Sequence, residues 1–279
     1  MRSVAIATAP GVEDPDEGAL IAALARVGWT ARACVWSDPD VAWEAFDQVV
    51  VRSTWDYTDD PAAFLAWARA RASILNPAPV LAYSADKRYL LDLAARGLPT
   101  VATRLFAPGD EIELPEGAVV VKPAVGAGSR GAARFAATEG AAARAHARVL
   151  ARRGAVIVQP YLERVDTEGE LALIYLDGAL SHAVRKDALL GHAEEARTTD
   201  LRRAGISPAR AEGGAREVAD AVLGALGWSD LAYARVDLLA DGEGWRVLEL
   251  ELVEPMLYLG YAEGAADRLA AGLVARSSV

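Results

Sequence analysis

The segment Trp245-Arg-Val-Leu-Glu-Leu-Glu-Leu-Val253 alternates apolar and acidic side chains, which is the pattern of a β-strand with two different faces. Its leucines fall on one face, and Glu249 and Glu251 share the other. A second strand pattern, Leu231–Ala240, precedes it, and the two are separated by Asp241-Gly-Glu-Gly244. Because glycine and aspartate favour tight turns between strands, the two segments predict a hairpin.

This hairpin is predicted to bring a third carboxylate to the acidic face. If residues 242–244 form a three-residue loop, Asp241 is the last paired residue and Asp237 lies opposite Glu249. Like charges that face each other destabilise a sheet, so a cation is expected among them. Mg²⁺ is the natural candidate because it prefers carboxylate oxygens together with phosphates. A solvated strand face with Arg235 as counter-charge explains the same pattern, and both interpretations stay open.

A glycine-rich loop, Gly126-Ala-Gly-Ser-Arg-Gly131, follows the apolar strand pattern Ala118–Lys122. Backbone N–H groups in such a loop can approach phosphates closely, and Lys122 can add a point charge. A strand-end lysine that reaches water is the alternative. The loop also spells the dinucleotide fingerprint of NAD-dependent dehydrogenases, but Ala132–Ala136 is predicted to be extended where that fingerprint needs a helix. A dehydrogenase is therefore an alternative that the context disfavours.

Residues 1–80 alternate strand and helix patterns, which predicts a small parallel sheet. The predicted elements are the strands Val4–Thr8, Ala31–Val35, Gln48–Arg52 and Ile74–Leu75 and the helices Glu17–Val27 and Pro61–Arg71. Asn76-Pro77-Ala78-Pro79 is predicted to be a rigid connector. A helix over Ser84–Arg96, capped by Ser84, would place Lys87 in its first turn.

A first hairpin is predicted from Glu170–Leu176 and Ala179–Arg185, joined at Asp177-Gly178. A two-residue turn places Glu170 opposite Arg185. The pair is either a surface salt bridge or a functional pair, with Glu170 accepting from ribose hydroxyls and Arg185 reaching a phosphate.

The composition excludes several classes of protein. With 29 basic and 39 acidic residues the net charge is −10, which argues against nucleic-acid and anionic-lipid partners. Cys34 is the only cysteine, and the three histidines are scattered, so neither an intrachain disulfide nor a zinc site is expected. Apolar runs are too short for a signal peptide or a membrane span, so a cytoplasmic location is predicted.

The order of these features resembles the ATP-grasp superfamily, on the side of glutathione synthetase, D-alanine–D-alanine ligase and RimK-like ligases. The resemblance is strongest from Asn76 to Tyr258. It implies an N-terminal α/β lobe and two α+β lobes that clamp ATP, placed at residues 1–80, 81–157 and 158–279.

The resemblance also implies a site, residue by residue. The implied ATP-binding residues are Lys87, Lys122, Gly126, Gly128, Ser129, Gln159, Pro160, Tyr161, Leu162 and Glu170. The implied Mg²⁺ ligands are Asp237, Glu249 and Glu251, and Glu251 stands where the family usually has asparagine. Arg185 is implied to act with Lys87 and Lys122 in neutralising charge on the transferred phosphoryl group.

A narrower resemblance is carried by Arg52-Ser-Thr-Trp-Asp-Tyr57, Asn76-Pro77 and Asp86-Lys-Arg-Tyr-Leu90. These segments are similar to the cyclo-ligases of D-cycloserine biosynthesis, which act on O-ureido-serine. Ligands of open α/β sheets bind beyond the carboxyl ends of the strands. The predicted substrate contacts are therefore Arg52, Ser53 and Asp56, and Arg197 in the predicted lid 187–201 is a further one. The alternative for this N-terminal segment is that Trp55 and Tyr57 simply pack the lobe interface.

We therefore expect an ATP- and Mg²⁺-dependent carboxylate–amine ligase that works through an acyl phosphate on an amino-acid-like substrate. It either closes a ring within O-ureido-D-serine or joins two molecules. A nucleotide-binding module without catalysis is disfavoured, because the predicted lysines and acids are all retained. A homodimer is the default assembly.

Overall fold

The computed structural model describes residues 2–188, 205–242 and 244–276. Within these residues the strands form three separate sheets, in agreement with the predicted combination of α/β and α+β architecture. No helix of the described part is long and apolar enough to cross a membrane.

The first sheet is parallel, as predicted, with strand order β2-β1-β3-β4. Its strands are β1 (Ser3–Thr8), β2 (Thr30–Val35), β3 (Gln48–Ser53) and β4 (Ile74–Leu75), with helices α1 (Glu17–Arg26) and α2 (Pro61–Arg69). The valines of β3 are fully buried, as expected for a parallel strand covered on both faces. Asp60 caps α2 by accepting from the Ala63 N–H at 2.9 Å, and Pro61 opens the helix.

The second sheet is antiparallel, with strand order β5-β8-β6-β7. Its elements are β5 (Arg104–Phe106), β6 (Val119–Pro123), β7 (Ala133–Phe135), α5 (Gly140–Leu150) and β8 (Val156–Pro160). The glycine-rich loop connects β6 to β7, so it opens a strand and not a helix. This confirms the extended Ala132–Ala136 segment and removes the context that a dinucleotide fingerprint needs.

The third sheet is also antiparallel, with strand order β11-β10-β9-β12-β13. Its strands are β9 (Glu170–Leu176), β10 (Ala179–Lys186), β11 (Ile206–Ala209), β12 (Tyr233–Asp241) and β13 (Gly244–Glu251). The remaining helices are α3 (Ala78–Ser84), α4 (Tyr89–Ala95), α6 (Val165–Glu168), α7 (Ala215–Leu226) and α8 (Ala265–Arg276). Both strands of the acidic hairpin therefore lie side by side at one edge of this sheet.

The predicted helix over Ser84–Arg96 is wrong in its first turn. Ser84 ends α3, and α4 begins only at Tyr89. The Ser84 hydroxyl donates to the Leu250 carbonyl at 2.9 Å and accepts from the Leu252 N–H at 3.0 Å, so it ties α3 to β13 and caps no helix. The predicted connector at 76–79 is also wrong in its second half, because α3 starts at Ala78.

Both hairpins contain a bulge that the sequence did not predict. In the first, the register shifts between Leu180 and His182, so Glu170 faces Lys186 and not the predicted Arg185. In the second, Asp241 pairs with Gly244, so the predicted three-residue loop is wrong.

A register shift after Asp237 in the second hairpin then restores the predicted pairing of Asp237 with Glu249. In the second hairpin the shorter turn and the bulge thus cancel. In the first hairpin the single bulge has no such compensation, so Lys186 takes the place predicted for Arg185.

The three-lobe division stays a proposal, with one adjustment. The strands of the three sheets fall within residues 3–75, 104–160 and 170–251. Because β8 runs through Pro160 and pairs with β6, we place the second boundary after residue 160 and not at 157.

Asn76 joins the first sheet to the third. Its side-chain amide donates to the Tyr233 and Leu252 carbonyls at 2.9 Å each, and its oxygen accepts from the Ala232 N–H at 2.9 Å. Its φ of 55° is one that asparagine tolerates better than most residues. All these groups are buried, and within the described residues the Asn76 amide is the partner that satisfies them.

Replacing Asn76 by alanine should lower the free energy of unfolding by about 2 to 4 kcal/mol, because three buried backbone groups lose their partner. Urea denaturation measures this, with the exposed Thr30→Ala as control, for which we expect a change within about 0.5 kcal/mol. Equal midpoints for the two variants would contradict the assigned role.

Candidate active site

A cavity of about 1110 Å³ lies between the glycine-rich loop, the end of β8 and the acidic face of the third sheet. It is large for a small-molecule site, since most ligand pockets hold about 300 to 1,000 Å³. The cavity therefore has room for a nucleotide together with a second small molecule.

One wall of the cavity carries the acidic cluster. Asp237, Glu249 and Glu251 each offer a carboxylate oxygen, and these oxygens lie within 4.8 Å of one another. The alternation of β13 and the pairing of Asp237 with Glu249 bring them together. An all-oxygen donor set of this kind fits a hard cation such as Mg²⁺.

Four cations surround these carboxylates: Lys87, Lys122, Lys186 and Arg235. Lys122 donates to Glu249 at 2.7 Å, and the Lys87 ammonium lies 4.0 Å from the same oxygen. On the other side, Lys186 donates to Asp237 at 3.0 Å, and Arg235 donates to Asp237 at 2.8 and 2.9 Å.

Two more contacts complete this arrangement. Arg235 also contacts Glu251, and Lys186 contacts Glu170. The acids and bases thus neutralise one another inside a largely buried site.

The charges fix the protonation of the cluster. Burial raises the pKa of Glu249, but the charges of Lys122 and Lys87 outweigh this and lower it to about 2. Burial likewise acts to raise the pKa of Asp237, yet Arg235 and Lys186 hold it well below its usual range. For Glu251 burial dominates over Arg235, and the pKa is raised. At neutral pH, Asp237 and Glu249 are therefore ionised.

The glycine-rich loop lies over this cluster. Gly126 accepts from the Lys87 ammonium at 2.6 Å, which holds the lysine under the loop. A Cβ on Gly126 would lie 2.9 Å from the Pro123 ring, and Gly128 has a φ of 57°, so both positions favour glycine. The loop can then present its backbone to a ligand in the cavity.

The end of β8 and the residues after it form the opposite side. The Gln159 amide donates to the Thr103 hydroxyl at 2.9 Å, and the Tyr161 N–H donates to the Ala118 carbonyl at 2.8 Å. The Arg134 guanidinium lies 3.7 Å from the centre of the Tyr161 ring. These contacts hold the segment in an extended path along the cavity edge.

The structure brings the predicted nucleotide-binding residues to one place. The residues of that set that line the cavity are Lys87, Lys122, Gly126, Gly128, Ser129, Gln159, Pro160, Tyr161, Leu162 and Glu170. Arg185 is not among the described lining residues; it is half-buried and donates to the Glu168 carbonyl at 2.6 Å. The bulge in β10 places Lys186 rather than Arg185 against Glu170 and Asp237, and the phosphate-facing role of Arg185 stays a prediction.

Sequence reasoning therefore missed Lys186 as a site residue and treated Arg235 only as a counter-charge. Lys186 could not be found without knowing the bulge. Arg235 had a signal, since it lies two residues before Asp237 on the same strand and so shares its face.

Three predicted substrate contacts lie away from the cavity. Arg52 is buried and donates to the Pro255 carbonyl at 2.8 Å, Ser53 is fully buried, and Asp56 accepts from the Trp36 indole at 2.8 Å. Among the described residues of this segment, Trp55 and Tyr57 line the cavity instead. A short 3₁₀ turn after β3 ends the strand alternation and brings Trp55 and Tyr57 to the cavity; substrate contact by Arg52, Ser53 or Asp56 stays a prediction. Arg197 lies outside the described residues.

Comparison with known proteins adds three similarities. Residues 4–76 match the family model of the N-terminal domain of the D-cycloserine synthetase DcsG. The chain is 38% identical to the cycloserine biosynthesis protein DcsG of Streptomyces lavendulae, with 94% of each chain covered. It is also similar to a crystal structure of D-cycloserine synthetase DcsG, with a TM-score of 0.88 and 34% identity over 99% of each chain.

A more distant likeness concerns the fold alone. The structure of D-alanine–D-alanine ligase from Bacillus anthracis complexed with ATP matches with a TM-score of 0.70 and 14% identity, over 100% of this chain and 98% of that one.

Proposed function

The chain belongs to the ATP-grasp family that includes D-cycloserine synthetase DcsG, and we propose that this ATP-dependent ligase converts O-ureido-D-serine to D-cycloserine through an acyl phosphate. The observation that carries the proposal is the meeting of four cations and three carboxylates at one end of a cavity with room for two ligands. The alternative of joining two separate molecules uses the same site and is decided by the experiment below.

ATP would lie between the glycine-rich loop and the segment after β8. The adenine would then border residues 159–162, and the phosphates would extend toward Lys87, Lys122 and Lys186. Glu170 is the acid at the start of β9 that we assign to the ribose hydroxyls. Since these lysines now neutralise carboxylates, binding of a polyphosphate would exchange one set of negative partners for another.

Asp237, Glu249 and Glu251 would hold Mg²⁺, because they are the described carboxylates whose oxygens converge. When bound, the ion would supply charge neutralisation at the phosphates. The Glu-x-Glu pattern places one more negative charge here than the usual Glu-x-Asn, and Arg235 compensates for it by contacting Glu251 directly.

The protein itself contributes position and electrostatics and no covalent nucleophile. The γ-phosphoryl group passes from ATP to the substrate carboxylate, and Lys122, Lys186 and Arg235 are placed to stabilise the charge on its oxygens. The substrate nitrogen bound to oxygen then attacks the acyl carbon, forming the ring amide and releasing phosphate. Water then hydrolyses the carbamoyl group on that nitrogen, which leaves as CO2 and ammonia and gives free cycloserine.

Purified protein should release ADP when O-ureido-D-serine is the sole substrate besides ATP, and the rate should not rise when a second amino acid is added. A coupled assay for ADP, with mass spectrometry of the product, measures this. ADP release that requires the second amino acid would favour the intermolecular ligase. Chelation of divalent metal by EDTA should abolish turnover, and turnover without metal would contradict the metal assignment.

A further inference from the structure

Glu254 is a buried carboxylate that faces the cavity and whose side chain has no hydrogen-bond or ion-pair partner among the described residues. It is only 7% exposed. The hydroxyl of Tyr57, which lines the same cavity and is 3% exposed, is likewise without a partner in the described part of the chain. Both groups open into the cavity, so they are free to bind a polar group of a ligand there.

The loop that carries Glu254 is held in place from the N-terminal sheet. Arg52 donates to the Pro255 carbonyl at 2.8 Å, and Asp16 accepts from the N–H groups of Leu257 and Leu259 at 3.0 and 2.8 Å. Arg52 also lies 3.5 Å from Asp16. Arg52 is therefore a positioning residue for the loop, and the fixed loop keeps Glu254 in the cavity wall.

The cations nearest to Glu254 are engaged elsewhere. Lys87 donates to the Gly126 carbonyl, and Arg235 contacts Asp237 and Glu251. Arg52 donates to the Pro255 carbonyl of the loop. Burial, and then the negative charge of Glu251, raises the pKa of Glu254, which agrees with a carboxylate that lacks a cation of its own.

The chemistry of this corner suits a small organic cation. Glu254 supplies a carboxyl group that gains its negative charge when a cation binds beside it, and Trp55 and Tyr57 supply aromatic groups that tolerate a neighbouring cation. Glu251 and Glu254 both line the cavity, and the charge of Glu251 acts on Glu254, so Glu254 lies near the end of the cavity where the reacting carboxylate would be held. In an α-amino acid the ammonium group is one carbon away from the carboxylate.

We propose that Glu254, assisted by the Tyr57 hydroxyl, binds the α-ammonium group of the substrate and is the residue that selects α-amino acids over their des-amino analogues. The assignment rests on the proposed function, because it takes the activated group to be the carboxylate of the same amino acid. A substrate held by this pair has its carboxylate directed toward Lys122, Lys186 and Arg235.

The test compares O-ureido-D-serine with 3-(ureidooxy)propanoic acid, which lacks only the amino group. Wild type should use the second compound far less well. In Glu254→Gln, kcat/KM for O-ureido-D-serine should fall about 10- to 100-fold, as expected for loss of a charge-assisted hydrogen bond, while kcat/KM for the des-amino compound stays within about threefold. Glu13→Gln, at the exposed rim of the same cavity, is the matched control and should change neither value more than about threefold.

Unchanged discrimination between the two compounds in Glu254→Gln would overturn the proposal, as would an equal loss for both compounds. Calorimetric titration of O-ureido-D-serine in the presence of a non-hydrolysable ATP analogue separates this inference from the proposed reaction. Binding to wild type that is lost in Glu254→Gln supports the ammonium site even if no ADP is released. Failure of wild type to bind the compound overturns the site.

Discussion

Replacing Glu249 by glutamine should lower the rate of ADP release by about a thousandfold. Glu249 is the centre of the acidic cluster, since it shares its oxygen between Lys122 and Lys87 and belongs to the three converging carboxylates. Glutamine keeps the shape but removes the charge that pairs with both lysines and that the proposed metal would require. Loss of one well-placed electrostatic contact in an active site costs about 10²- to 10³-fold, and here several contacts are affected together.

The measurement is the coupled ADP assay, paired with calorimetry of ATP binding with and without Mg²⁺. Glu217→Gln is the control, because Glu217 is an exposed acid in the first turn of α7. It should leave both measurements as in wild type. Metal-dependent ATP binding that persists unchanged in Glu249→Gln would show that the carboxylates of β13 do not hold the metal.

The sequence predicted this cluster well because strand alternation is a strict geometric rule. In β13, Glu249 and Glu251 share a face because they are two residues apart in a regular stretch of strand. Leu250 between them is buried in the core, so the two glutamates lie on the face that is turned away from the core. The turn length was wrong, yet a compensating bulge preserved the pairing of Asp237 with Glu249. The site was thus insensitive to the error.

The first hairpin shows the opposite outcome. The turn at Asp177-Gly178 was predicted correctly, but one bulge near Ser181 moved Lys186 into the place predicted for Arg185. A bulge depends on the packing of a particular pair of strands, and nothing local in the chain around Ser181 announces it. With two basic residues side by side, pattern alone could not decide which one faces the cavity.

Contacts between distant segments explain the remaining errors. Ser84 has the composition of a helix cap, but its hydroxyl is taken by the backbone of β13. Arg52 was expected at the substrate because it ends a strand, but it is buried against Asp16 and Pro255. In both cases the tertiary partner lies more than 150 residues away or across the lobe, beyond the reach of local patterns.

Replacing Asp237 by asparagine should lower the free energy of unfolding by about 3 to 5 kcal/mol at neutral pH. The residue is 1% exposed and is the shared partner of two buried cations, Arg235 and Lys186. Removing one member of a buried ion pair leaves charge without compensation, which is more costly than losing an exposed contact. Urea denaturation of the two proteins at several pH values measures the effect.

The matched control is Asp241→Asn in the same hairpin. Asp241 pairs with Arg246 at 2.8 Å, and the two side chains are 41% and 43% exposed, so the loss should be about 0 to 1 kcal/mol. Equal losses for the two variants would mean that burial does not govern the Asp237 interaction.

The pH dependence gives a second, independent test. Because the pKa of Asp237 is held well below its usual range in the folded state, its contribution is fully present above the unfolded pKa of about 4 and fades as the pH falls below it. The difference in stability between wild type and Asp237→Asn should therefore be constant from about pH 7 to pH 5 and shrink toward pH 3. A difference that stays constant over the whole range would mean that the Asp237 carboxylate is not stabilised by charge, and the electrostatic basis of the cluster would be wrong.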